Sequence, residues 1–135
     1  MSRYIIAYGA SATVFFIIDY IWLAHVARRF YADRLGELLL ERPNLTAAAL
    51  FYAIYVAGIV IFAVNPAMKS GTVATAAIYG ALFGFFAYAT YDMTNFATLK
   101  NWPVSVAIVD IAWGTALTCA SAVMGYLITA QLAEI

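Results

Sequence analysis

The chain has 135 residues, of which 66% are hydrophobic and 10% charged, and its seven basic side chains balance seven acidic ones. Soluble domains carry about 25% charged residues, so a chain of this composition, with a mean hydropathy of +0.89, is a membrane protein. Zero net charge and scattered basic residues exclude a nucleic-acid footprint, and the single cysteine, Cys119, cannot form an intramolecular disulfide.

Crossing a bilayer takes about 20 residues of helix, and four apolar segments meet that length, at roughly 4–27, 45–64, 72–93 and 103–130. The first exceeds the ~7–15 apolar residues of a secretion signal and contains Asp19, so it reads as a mature helix. In lipid the backbone must satisfy its own hydrogen bonds. The expected fold class is therefore an all-α integral membrane protein, one domain over residues 1–135 with four transmembrane helices and an amphipathic connection between helices 1 and 2.

That connection, "RRFYADRLGELLLERP" from Arg28 to Pro43, spaces Phe30, Tyr31, Leu35, Leu38 and Leu39 along one side and suits a helix lying among lipid headgroups. A plain extension of helix 1 is the alternative. Asn44 is expected to cap helix 2, "NPAMKSG" from Asn65 to Gly71 to form a turn, and Pro103 to open helix 4. Arg28, Arg29, Arg34, Arg42 and Lys100 share one side, against Arg3 and Lys69 on the other. The positive-inside tendency then puts loops 1-2 and 3-4 in the cytoplasm.

Acids inside the spans carry the functional signal. Asp19 precedes the end of helix 1 by ~12 Å, Asp110 follows the start of helix 4 by ~10 Å, and Asp92 stands at the same end of helix 3, at 1.5 Å per residue. Three carboxyl groups thus share one leaflet on three helices. Charge at that depth is costly, so such groups face the interior and find partners. Tyr88, Tyr91, Asp92 and Asn95 recur at helical spacing on helix 3. "DYIW" gives Asp19 and Trp22 on helix 1, and "DIAW" gives Asp110 and Trp113 on helix 4: an acid with an indole one turn along, twice.

Each feature also has a structural explanation. Asp92 is placed to terminate helix 3 among "TNFAT", and Asp19 and Asp110 are within reach of Arg28, Arg29 or Lys100 as a clamp. Trp102 suits an interfacial aromatic belt. Small-residue seams at Gly80 and Gly84, Ala53 and Ala57, and Gly114 and Thr118 bring helices together, within the chain or between subunits.

His25 has no second histidine or cysteine at ligand spacing, so neither a metal site nor a cofactor is expected. No phosphate loop or nucleophile elbow is present, and the sequence assigns no enzyme class.

The stretches "FYADRLGELL", "LFYAIYVAGIVIFAVNPA", "YATYDMTNFATLKNWP" and "DIAWGT" resemble a family of small bacterial inner-membrane proteins known only as a domain of unknown function. The "YDMTNFATL" stretch is the most specific of them. The resemblance implies the four-helix fold and a bacterial inner membrane, and it supplies no catalytic residues.

The favoured expectation is a site for a lipid or hydrophobic small molecule, binding it and open to modifying it. Asp19, Asp92 and Asp110 would be its acid, base or anchors, Tyr88, Tyr91 and Asn95 its donors, and Trp22 and Trp113 its walls. A proton-coupled transporter working as a homodimer and an accessory subunit of a larger membrane complex are the alternatives.

Overall fold

The computed structural model describes residues 2–134, and the described residues form helices joined by short connections. Four helical stretches are long and apolar enough to cross a membrane: Ser2–Val26, Leu45–Ser70, Val73–Thr98 and Val104–Leu132. Ile5, Ile17, Leu50, Ile54, Phe62, Ile78, Phe86 and Ile108 stay exposed around the perimeter, as expected of a surface solvated by hydrocarbon.

Helix α1 (Ser2–Ile21) widens into a π turn at Trp22–Val26 and stops at Ala27, after which α2 (Arg28–Leu35) begins on a new axis. The amphipathic segment is thus separate from helix 1, but it is shorter than the expected 28–43. Gly36 takes φ 43°, in the left-handed region that favours glycine, and a single 3-10 turn at Gly36–Leu38 follows. Leu38, Leu39 and Leu40 are left exposed.

Helix α3 (Leu45–Ile59) is capped as expected by Asn44, whose Oδ1 accepts from Ala47 N at 3.0 Å. The expected turn at 65–71 is instead helix. A π turn at Val60–Val64 leads directly into α4 (Asn65–Ser70), and the chain reverses only at Gly71, φ 73°. Pro66 explains this: it has no N–H and its ring crowds the preceding turn. A π-widened turn immediately before it relieves that crowding.

Helix α5 (Val73–Thr98) runs five residues past the expected end at 93. Thr90, Thr94 and Thr98 each donate to the carbonyl four residues back, so these hydroxyls are consumed within the helix and do not end it. Asp92 consequently lies inside α5 and cannot serve as its terminating residue. Helix α6 (Val104–Leu132) starts after Pro103, whose carbonyl accepts from Ala107 N.

Helix α6 is the centre of the bundle, with α5 along one side and α1 along another. Glycine makes the α5–α6 approach possible. A Cβ on Gly80 would meet Ala122 and Thr118, one on Gly84 would meet Thr118 and the Gly114 carbonyl, and one on Gly114 would enter the Tyr88 ring. These seams therefore serve packing within the chain. The Ala53/Ala57 seam is different, because Ala53 is exposed and only its carbonyl is engaged, by Tyr8 Oη at 2.8 Å.

Phe15, Ile59, Val64, Leu117 and Ala122 fill the core between α1, α6 and the Val60–Val64 turn. Helix α5 meets the second span chiefly at that turn and at α4. Towards the other end α3 and α5 diverge and leave a cleft.

Candidate functional site

From these helix boundaries the depths can be recomputed. Asp19 lies seven residues before Val26, Asp92 six before Thr98 and Asp110 six after Val104, or ~9–10 Å along each axis. The carboxyl-bearing positions of α1, α5 and α6 are therefore level with one another at one end of the bundle.

Asp19 is buried, and its two oxygens are held separately: Oδ2 accepts from Tyr52 Oη and Oδ1 from Trp113 Nε1, each at 3.1 Å. Asp110 is half-buried and its Oδ1 accepts from Tyr31 Oη at 2.9 Å. The Tyr31 oxygen in turn accepts from Trp22 Nε1 at 3.3 Å. Trp22 and Trp113 stack with ring centroids 4.2 Å apart, which joins the two carboxyl groups into one assembly. The alternative of a clamp by Arg28, Arg29 or Lys100 gives way to neutral donors, which hold a carboxylate without bringing a second charge into the bilayer.

Tyr31, outside the spans, shows the local electrostatics. Burial and the adjacent Asp110 carboxylate hold its phenol above the ordinary value of 10.0, so it stays protonated and keeps donating. It also ties α2 to the bundle, together with the bond from Arg34 Nε to Ser105 Oγ at 3.1 Å.

Asp92 is fully buried, and neither carboxyl oxygen has a hydrogen-bond partner. It faces the same cavity as Asp110, and the two carboxyl groups are close neighbours there. Tyr88 packs on Gly114 and against the Tyr55 ring at 6.3 Å. Tyr91 is mostly exposed and sets its ring edge-to-face on Trp102 at 5.7 Å. Asn95 is half-buried and lines neither cavity beside the acids.

Two tyrosines absent from the expected set, Tyr31 and Tyr52, make direct bonds to the acids. A signal for Tyr52 existed, since Tyr52 and Tyr55 are spaced to share one face of an otherwise apolar helix and intramembrane phenols need partners. Tyr31 lay on the apolar side of the amphipathic segment, with nothing to show which way that segment folds back.

The cleft between α3 and α5 has a volume of about 340 Å3. Ala48, Phe51, Tyr55 and Ala87 form its apolar sides, while Tyr52, Tyr88, Tyr91 and Asp110 bring polar groups to it. That size lies at the lower end of the ~300–1,000 Å3 common for small-molecule sites.

The model of a family described as "Predicted membrane protein (DUF2177)" matches residues 4–127. The chain belongs to the DUF2177 family. The match spans all four membrane helices except the first residues of α1 and the last of α6. No curated protein and no solved structure matches this DUF2177 chain.

Proposed function

We propose that this DUF2177 protein binds a lipid or hydrophobic small molecule in the α3–α5 cleft, with its polar end directed at the carboxyl assembly. The observation that carries the proposal is the cleft itself: apolar walls end on Asp110, Tyr88 and Tyr52 at a depth where polar groups are expensive to place. An amphipathic ligand suits such a lining, its tail beside Phe51 and Ala87 and its hydrogen-bonding end among the phenols.

A transport path has less support. The far half of the bundle is filled by Val64, Ala67, Ala76, Ala122 and other buried side chains, whereas alternating access favours a site near the midplane reached from both faces. Within the same proposal the membrane is a bacterial inner membrane, and the connections bearing Arg28, Arg29, Arg34, Arg42 and Lys100 face the cytoplasm.

The test is to fill the cleft. Mass spectrometry of molecules that copurify with the wild-type protein should find a stoichiometric amphipathic ligand, and Ala48→Trp should reduce its amount while the helical circular dichroism is retained. Unchanged ligand content in a folded Ala48→Trp protein would defeat the proposal.

A further inference from the structure

A second cavity, of about 640 Å3, lies between α2, the 36–43 connection and the adjoining parts of α5 and α6. Its lining is incomplete in two opposite senses. Asp92 presents two buried acceptor oxygens without a donor, and Trp102 Nε1 is a buried donor without an acceptor. Both residues line this cavity. Buried polar groups are ordinarily paired, and leaving them unpaired is destabilising. An occupant that satisfies both must offer N–H or O–H donors at one point and an oxygen acceptor at another.

The remaining charges narrow the choice. Asp110 and Glu41 face one cation, Arg28, in the same lining, so a cationic group is favoured and a purely anionic one opposed. Arg28 and Trp102 remain available to hold an anionic oxygen. Leu35, Leu39 and Leu40 supply apolar surface beside these groups. Tyr91 and Asp110 line both this cavity and the α3–α5 cleft, so the two spaces adjoin at those side chains.

We propose that this cavity binds a primary ammonium joined to a phosphate, the chemistry of a phosphatidylethanolamine headgroup. Its ammonium sits at Asp92 and Asp110, its phosphate at Trp102 Nε1 and Arg28, and an acyl chain runs into the α3–α5 cleft. This deepens the lipid-binding reading and rests on it. The primary ammonium matters because it carries three N–H donors for the open Asp92 oxygens. The quaternary ammonium of phosphatidylcholine has none, and phosphatidylglycerol has no cation.

Native mass spectrometry of the full-length protein, delipidated and then offered dioleoyl phosphatidylethanolamine, phosphatidylcholine or phosphatidylglycerol, tests this directly. The expected result is retention of phosphatidylethanolamine over either competitor by at least about tenfold, as one charge-assisted hydrogen bond would give. Asp92→Asn should lower phosphatidylethanolamine to the level of phosphatidylcholine. Trp102→Phe, which keeps the ring and removes only the donor, should weaken all three lipids through their phosphates. Excess free phosphoethanolamine that displaces the lipid would assign the same chemistry to a soluble source, and failure to displace would assign it to the bilayer. Equal retention of the three lipids by the wild-type protein would overturn the headgroup assignment and leave the hydrophobic-ligand reading intact. Retention of none would overturn both.

Discussion

The indoles of Trp22 and Trp113 lie face to face, 4.2 Å between centroids and 8° from parallel, and each serves the carboxyl group of the other's helix. Trp113 on α6 donates directly to Asp19 on α1, whereas Trp22, in the π turn that follows α1, reaches Asp110 on α6 through Tyr31. The two acid–indole pairs are thus a reciprocal brace between antiparallel helices. Trp113→Phe should preserve stacking and remove one of the two donors to buried Asp19. The expected cost is about 1.5–3 kcal/mol, the range for a hydrogen bond to a charged group, read as a lower unfolding temperature in detergent. Trp22→Phe breaks a longer bond to a neutral oxygen and should cost less.

Tyr31 fastens α2 to the bundle through Asp110. Replacing it by Phe should raise deuterium uptake across 28–35 and leave α6 protected, as local opening of a weakly anchored element requires. The phenol is held above its ordinary value of 10.0 by burial and by Asp110. A group whose folded value is raised stabilises fully below the unfolded value and less as pH climbs through the folded one. Docking of α2 should therefore be constant through neutral pH and weaken above about pH 10. In Tyr31→Phe that alkaline loss should shrink; an equal loss in both proteins would assign it to other groups.

How much of this was legible beforehand depended on locality. Helix periodicity and apolar length located four spans, and the Asn44 cap was readable because capping is a contact three residues long. The spacing of Asp19 with Trp22 and Asp110 with Trp113 pointed to a shared interior. It did not show that each indole serves the opposite helix, because that depends on how α1 and α6 cross. Pro66 reads as part of a turn because the π turn that accommodates it has no composition of its own. Helix 3 reads as ending beside Asp92 because threonines that bond back to their own helix look, in sequence, like those that leave it. Tyr31 is hidden for a third reason: the break at Ala27, after which α2 lies against the acids, has no composition of its own.

Gly114 is required by the ring of Tyr88, which occupies the space a Cβ would take. Gly114→Ala should force that ring aside at a cost of about 1–3 kcal/mol, the usual range for overpacking. The same change at Gly9, where nothing lies within 4 Å, should be close to neutral or slightly stabilising. Thermal unfolding of the two variants in one detergent separates close packing from helix propensity. Equal behaviour would show that α5 and α6 can yield at this seam.

Asp110 lines both cavities and accepts the Tyr31 bond, so its removal addresses the whole site. The decisive measurement is the quantity of lipid or other amphipathic ligand carried through purification by Asp110→Asn, compared with wild type at matched helical content. The carboxyl assembly, as a ligand site, predicts a folded, detergent-stable variant that has lost its ligand. A folded variant with undiminished ligand would contradict it, and a variant that cannot fold would mean that Asp110 acts as a structural clamp.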